Sequence, residues 1–475
     1  VTPTRTLILG AGPTGLGAAW RLHELGRSDW LLLEAAPGPG GLAASFVDDR
    51  GFTWDMGGHV LFSHYPYFDR LMDLLLPEGW VEHVREAWVY VRNRWVPYPF
   101  QNNIWMLPPD DLLAALTGLL DARPQTPRDQ SASPGGSGPA NFRAWLLQTF
   151  GPGLCEIFMF PYNRKVWAYD PATLDVGWMG ERVAPVDLRR VLTNLVYQRP
   201  DVGWGPNSTF RFPRRGGTGA IWHALARRLP AEKLLYGQPV TAIDPQAHTA
   251  TRADGRQFTY ENLVSSMPLD DLLRCLRGCP DLSAAAPACV YSSTYVIGVG
   301  LDGTVPAALK TKCWMYFPES NSPYYRVTVF SNYSPHNTPQ PGKQWSLMAE
   351  VSESPEKPVN RETVVSETLA ALRQDGLIPP GAPILSTCHR RLEHGYPTPW
   401  LGRDRHLDPL LAHLADLHIF SRGRFGAWKY EVSNQDHSLM QGVEVINRLE
   451  QGQPEMTLFH PAVVNARPAG QSSAR

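Results

Sequence analysis

At 475 residues the chain holds material for about three domains, and 43% hydrophobic with 19% charged residues describes a globular protein that buries a large core. Lys+Arg 44 against Asp+Glu 45 leaves a formal charge of −1, so no global field draws it to nucleic acid or an anionic membrane, and any polyanion must be met by local basic groups. No apolar run approaches the roughly 18 residues of a membrane span, no basic-then-apolar leader precedes the opening strand, and six scattered cysteines without a CxxC pair favour neither a zinc knuckle nor a disulfide framework, so the expected setting is cytoplasmic.

Residues 6–9 form a short apolar run with the character of a buried strand. Gly10-Ala11-Gly12-Pro13-Thr14-Gly15 follows, then an amphipathic stretch over 16–25 that stops at Gly26. Residues 30–33 read as a second strand, closed by Glu34. Glycines let backbone approach a pyrophosphate at a helix N-terminus, and an acid about 20 residues further on takes the ribose hydroxyls. Glu34 lies 19 positions after Gly15. A lone glycine turn is a weak signal; strand before, helix after and acid at the right distance make it a dinucleotide-binding unit. The acid also argues against a ribose 2′-phosphate here. A second glycine pair, in Gly40-Gly41-Leu42-Ala43, is typical of large FAD-dependent oxidoreductases.

Further along, residues 85–97 are strand-like with a turn-forming Asn93, and 112–122 are helical. The Pro/Ser/Gly tract 124–139 reads as a mobile surface loop. Residues 142–160 and 188–197 read as helices, so 112–197 is expected to be a helical domain. Residues 234–266 look like two or three strands with a hairpin at Ala253-Asp254-Gly255, a return to the nucleotide domain. Residues 290–301, 324–332 and 345–351 are β-rich and imply a second sheet. The expected fold is α/β: a doubly wound FAD-binding Rossmann-type domain with an inserted helical domain and an antiparallel β-sheet domain. The boundaries expected are 1–84, 200–270 and 400–465 for the FAD domain, 104–199 for the helical domain, 85–103 and 271–399 for the sheet domain, and 466–475 for a tail.

Several strings carry a more specific resemblance. Gly57-Gly58-His59-Val60, Trp95-Val96-Pro97-Tyr98-Pro99-Phe100-Gln101-Asn102-Asn103, Pro161-Tyr162-Asn163, Gly180-Glu181-Arg182-Val183 and Trp204-Gly205-Pro206-Asn207 resemble the UDP-galactopyranose mutases. So do Phe330-Ser331-Asn332-Tyr333-Ser334-Pro335, His394-Gly395-Tyr396-Pro397, Arg422-Gly423-Arg424-Phe425-Gly426 and Asn434-Gln435-Asp436-His437-Ser438. The detail is similar to the eukaryotic (fungal-type) branch and runs over nearly the whole chain.

The resemblance implies an FAD-dependent isomerase without net redox turnover, interconverting UDP-galactopyranose and UDP-galactofuranose by ring contraction through a flavin N5–sugar adduct. It implies activity in the reduced state, with NADPH or NADH as reductant; the oligomeric state stays open and no metal is expected. Gly10, Gly12, Gly15, Glu34, Gly41, Leu42, Gly58, His59, Val240, Arg424, Asn434 and Gln435 match cofactor-binding positions, the last three around the isoalloxazine ring. Arg182 and Arg326 match two diphosphate-binding arginines, whose bidentate charge suits a leaving UDP. Tyr333, Tyr396 and Tyr430 match tyrosines that contact the same phosphates. Tyr98, Phe100 and Gln101 resemble a uracil site, with a turn packed into the core as the plainer alternative. Asn163, Trp167, Trp314 and Tyr316 fall where the family lines its nucleotide and sugar walls, Asn207 near the sugar hydroxyls, and His59 against the flavin. With Arg182, Arg326 and Asn207, His59 completes the expected catalytic set.

Three departures stand out. Ser433 occupies a position where the family usually has glycine, which bears on the local backbone and on reduced-flavin stabilisation; Ala87 stands where a serine contact to NADPH is expected; and the segment between Asn337 and Trp345 is short. The alternatives are the same chemistry on another nucleotide sugar, and a flavin oxidase or desaturase resembling protoporphyrinogen oxidase. Arg182, Arg326 and the uracil-like turn discriminate against the second, since an apolar substrate needs no diphosphate clamp.

Overall fold

The computed structural model describes residues 2–77, 79–122, 139–180, 182–184, 186–202, 204–205 and 208–466. The expected loop at 124–139 lies outside these residues, apart from Pro139.

The opening apolar run becomes the strand Thr2–Leu9, paired in parallel with Trp30–Leu33 on one side and Gln257–Ser265 on the other. Parallel neighbours need a crossover, and the helix Pro13–Glu24 supplies the first. Leu234–Leu235 and Ile419–Ser421 extend the parallel part, and Val240–Asp244 with Thr249–Arg252 adds an antiparallel ribbon to complete seven strands. The hairpin expected at 253–255 joins Thr249–Arg252 to Gln257–Ser265. Leu7, Ile8 and Leu32 are wholly buried in its middle. The long helix Gln435–Gln451 packs Leu439, Val443 and Ile446 into the same core as Leu16 and Ala19 of the first helix. That packing returns its N-terminus, with Asn434 and Gln435, to the glycine turn's end of the sheet.

The second sheet also has seven strands, in the order Ile384–Pro397, Tyr291–Asp302, Gln344–Glu353, Arg326–Val329, Trp314–Tyr316, Ala87–Val91, Arg94–Pro97. It was expected to be antiparallel; the parallel pairing of Trp314–Tyr316 with Ala87–Val91 makes it mixed. Arg92 and Asn93, both at positive φ (54° and 56°), make the two-residue turn of the terminal hairpin, where the primed-turn twist matches the strands. The β run expected over 324–332 is shorter than its composition suggests. Its strand ends at Val329 and Phe330–Tyr333 is a helical turn. The side chain of Asn337 bonds the Phe330 carbonyl at 3.0 Å, and Asn332 bonds the carbonyls of Leu309 and Lys312 at 2.9 Å each, so amide side chains hold this turn in place.

The helical layer holds Pro109–Asp121, Phe142–Leu154, Phe160–Trp167 and Leu188–Tyr197. The single helix expected over 142–160 is broken at Gly151, at φ 68°, before Pro152, which lacks an N–H. A Cβ on Gly151 would sit 2.1 Å from the Gly118 carbonyl oxygen, so only glycine lets the two helices touch there. A wider turn over Cys155–Met159 then re-aims the chain into Phe160–Trp167.

Candidate active site

Two glycine loops meet where the first sheet ends. Gly10, at φ 99°, has no room for a side chain: a Cβ would lie 2.2 Å from Ser266 Oγ. A Cβ on Gly15 would lie 1.8 Å from the Gly10 carbonyl oxygen, so helix and strand are in backbone contact. Gly12 caps the helix Pro13–Glu24 with extended backbone and no side-chain hydrogen bond. The second loop docks on the first, with Gly40 N–H donating to the Ala11 carbonyl at 2.8 Å and a Cβ on Gly41 falling 3.2 Å from Gly12 Cα. Glu34 accepts from Ala11 N–H at 2.5 Å and Ala36 N–H at 2.7 Å, which fixes its carboxylate at the mouth of the turn. Leu42 and Val240 pack beside it on one apolar cluster, and Gln238 N–H bonds the Glu34 carbonyl at 2.8 Å. Side-chain-free backbone at a helix N-terminus, beside a fixed carboxylate, fits the pyrophosphate and ribose of FAD.

The Gly57-Gly58-His59 loop lies against the second sheet. A Cβ on Gly58 would meet Thr328 Oγ1 at 2.9 Å, Trp314 Nε1 at 3.4 Å and Arg326 Nη2 at 3.6 Å. Arg326 and Glu350 are register partners on adjacent antiparallel strands. Their side chains form a two-point ion pair, Nη2 to Oε1 at 2.8 Å and Nε to Oε2. The same Oε1 accepts a long bond from Gly58 N–H at 3.4 Å. Arg326 also lies 5.8 Å from the Trp314 ring centre. His59 is half-buried with its Nδ1 enclosed and without a hydrogen-bond partner among the described residues.

Arg182 comes from the helical layer. Its Nη2 donates to the Glu431 carbonyl at 2.7 Å, and its centre is 5.3 Å from the Tyr430 ring. The Glu431 carboxylate is not available to it, being held by Arg403 at 2.5 and 2.9 Å. Nη1 of Arg182 is buried and has no partner among the described residues. Tyr430 and Tyr396 stand 5.8 Å apart, with Trp167 edge-on to both at 4.9 and 5.9 Å. Arg424 lies 5.0 Å from the Tyr396 ring and 5.7 Å from Tyr430. The fold thus brings Arg182, Arg424, Trp167, Tyr396 and Tyr430 into one aromatic cluster, and Arg326 and Tyr325 adjoin it through the 3.5 Å contact of the Tyr325 and Tyr396 hydroxyls.

Beyond that cluster, Tyr98 faces Tyr316 at 5.4 Å with Arg85 5.5 Å from its ring, and Tyr316 meets Tyr162 at 5.3 Å. Gln101 donates to the Ala184 carbonyl at 2.7 Å, which ties the turn to the segment carrying Arg182. Phe100 offers no stacking face: it is 0% exposed and packs on Phe158 at 4.7 Å, so the core-turn alternative describes this ring. Tyr333 is also fully enclosed, among Phe210, Phe212 and Phe330, with its hydroxyl unpartnered among the described residues. Asn163 bonds back to the Met159 carbonyl at 2.8 Å, and Gln435 accepts from Trp222 Nε1 at 3.2 Å. Asn207 lies outside the described residues.

Glu350 is the residue that reading the sequence missed. An acid between Ala349 and Val351, inside the apolar part of the strand Gln344–Glu353 and 3% exposed, was the available signal. Asp55 is another. It is wholly buried, bonded by Thr218 and by Ser45 at 2.5 Å, and burial pushes its pKa up to about 7.

Burial lowers His59 and His437 from 6.5 to about 4, so both are neutral in the fold. Each adds stability that is present above 6.5 and is lost as pH falls towards 4, at about 1.4 kcal/mol per pH unit. Asp55 has the opposite sign: its contribution is present below 3.8 and is lost as pH rises towards 7. Glu444, which burial raises to about 6, acts with Asp55, and His223 and His336, both lowered by burial, act with the other two histidines, so the share of His59 is read from the difference between parent and variant in the Tm change from pH 7 to pH 5. On thermal denaturation that change should be less unfavourable in His59→Gln than in the parent; an equal change would deny His59 its part.

A family model described as flavin containing amine oxidoreductase matches residues 13–390. A crystal structure of reduced UDP-galactopyranose mutase is 49% identical, with a TM-score of 0.92 over 98% of this chain and 99% of that one. A putative protoporphyrinogen oxidase from Exiguobacterium sp. 255-15 shares the fold at 17% identity, TM-score 0.69, over 95% of this chain and 99% of that one. A CLA-producing fatty acid isomerase from P. acnes shares it at 13% identity, TM-score 0.63, over 94% and 99%.

Proposed function

We infer the function from this premise: the chain belongs to the flavin-containing amine oxidoreductase family and, within it, to the UDP-galactopyranose mutases. Its reaction, on this reading, is the interconversion of UDP-galactopyranose and UDP-galactofuranose, in the manner of the eukaryotic (fungal-type) branch. The observation that carries the reading is Arg182 Nη1, a buried donor atom without a partner among the described residues, in an aromatic cluster, in a chain that also carries a glycine cradle suited to FAD. A buried guanidinium with a vacant donor is a standing demand for an anion.

Bound FAD supplies, when reduced, the nucleophile that ring contraction requires. The chain's own residues do the rest. Gly10, Gly12, Gly15 and Gly41 leave room for the FAD pyrophosphate, Glu34 takes the ribose, and Leu42 and Val240 give its adenine an apolar edge. Gly58, His59, Asn434 and Gln435 border the isoalloxazine side, with Arg424 between that side and Arg182. Arg182, with Arg326, meets the negative charge that grows on UDP as it leaves, and the hydroxyls of Tyr396, Tyr430 and Tyr333 join them. Trp167, Trp314 and Tyr316 wall the site against water, with Asn163 at its edge and Asn207 assigned to the sugar. Tyr98 and Gln101 hold the uracil, and Phe100 braces their turn from inside. NADPH or NADH is the reductant on this reading, the cytoplasm its setting, and the domain boundaries are those drawn from the sequence.

The purified protein is expected to be yellow and to convert UDP-galactofuranose to UDP-galactopyranose after dithionite reduction, with product separation by chromatography as the measurement. Equal turnover by the oxidised enzyme would remove the mechanism; no conversion by the reduced enzyme would remove the substrate assignment.

A further inference from the structure

Three enclosed arginines of this fold face a carboxylate. Arg403 pairs with Glu431, Arg422 with Glu455 and Arg326 with Glu350. Arg424 does not. Its Nη1 donates to Ser433 Oγ at 2.8 Å and its Nη2 to the Gly395 carbonyl at 3.0 Å, both neutral acceptors. No ion pair to a carboxylate of the described residues relieves it, and burial draws its pKa down from 12.5. Arg182 likewise has no carboxylate partner among the described residues, and Tyr430 lies near both guanidinium groups. Two cations near one ring, neither paired with a carboxylate among the described residues, make a stronger demand for a multiply charged anion than Arg182 alone.

We propose that Ser433 is a positioning residue whose hydroxyl sets Arg424 as a further cationic arm of the diphosphate site beside Arg182, an inference that rests on the nucleotide-sugar reading above. The hydroxyl has one hydrogen, and it is donated to the Tyr430 carbonyl at 2.8 Å, leaving a lone pair aimed at Arg424 Nη1. Ser433 therefore fastens Arg424 to the turn Tyr430–Val432, whose Glu431 carbonyl holds Arg182. The two guanidinium groups are located by the same few atoms of backbone. Ser433 itself sits at φ −118° and ψ 9°, a conformation that needs no glycine, so serine at this position carries no backbone strain. A glycine or alanine there leaves Nη1 only the long 3.5 Å bond to the carbonyl of residue 433, a much weaker hold than the 2.8 Å bond to the hydroxyl.

The test uses FAD-loaded protein, titrated with UDP and separately with inorganic pyrophosphate by tryptophan fluorescence, in the parent and in Ser433→Ala, Ser433→Gly and Ser433→Thr. Loss of one hydrogen bond to a charged group predicts UDP binding about 5- to 20-fold weaker in the alanine and glycine variants. Threonine, which keeps the hydroxyl, should stay within about 3-fold of the parent, and pyrophosphate should follow the same order. Unchanged affinity in both the alanine and the glycine variants overturns the proposal. So does a threonine variant as weak as alanine, or a shift in flavin absorbance with UDP affinity intact, which assigns Arg424 to the flavin instead. A parent that binds pyrophosphate but not UDP removes the nucleotide reading, while the pyrophosphate titrations still decide on Ser433.

Discussion

Arg182→Ala is expected to lower kcat/KM by about two to three orders of magnitude, the roughly 2.7–4 kcal/mol that a preorganised donor to a developing oxyanion supplies. The magnitude follows from what Arg182 is not doing in the fold. Nη2 bonds only a carbonyl, that of Glu431, and Nη1 bonds nothing among the described residues. The side chain is held by that one carbonyl and the Tyr430 ring, with no ion pair among the described residues, so its removal costs the fold on the order of 1 kcal/mol. Lysine keeps the charge but cannot use the carbonyl and a phosphate oxygen through one planar fork, so Arg182→Lys should recover only part of the rate. Steady-state kinetics on the reduced enzyme, with thermal denaturation of each variant alongside, makes the measurement. Alanine kinetics near those of the parent, in a folded protein, would take Arg182 out of the site.

The difference between what the sequence disclosed and what it hid follows the range of the interactions. The glycine turn was legible because its grammar is local: Gly10, Gly12, Gly15 and Glu34 sit within one strand–helix–strand unit whose spacing is readable from the sequence. The hairpin at Arg92 and Asn93 was legible for the same reason. The break at Gly151 was not, since its cause is the backbone of Gly118 on another helix. Trp167, Tyr396 and Tyr430 converge only because three distant segments pack together; family resemblance, not pattern, put them in one site. Phe100 shows the limit of that resemblance, because its motif fixed the turn and left open which side of it the ring would take. The ion pair of Arg326 with Glu350 depends on register between two strands joined through a helical turn and a loop, and periodicity does not encode that register.

That pair leads to the second large effect. Glu350→Ala is expected to destabilise the fold by about 3–5 kcal/mol, because it strands the Arg326 guanidinium in a buried sheet without its carboxylate. Against the unfolding entropy of a chain of 475 residues, that is a fall of about 3–5 °C in Tm. The double variant Glu350→Ala/Arg326→Met removes the charge along with its partner and refills the space, so much of the loss should return. Activity should not return with it. Glu350 Oε1 serves both Arg326 Nη2 and Gly58 N–H, so it joins Arg326 to the loop that carries His59. Without it the loop loses an anchor and kcat falls; without Arg326 as well, a cationic arm on UDP is gone and KM rises too. Thermal denaturation and kinetics on the two variants therefore separate the roles: stability recovers in the double variant while kcat/KM drops further, by about 10- to 100-fold relative to Glu350→Ala. A double variant as unstable as the single one would mean that the Glu350 side chain supports the sheet by packing, and that the ion pair is incidental to it.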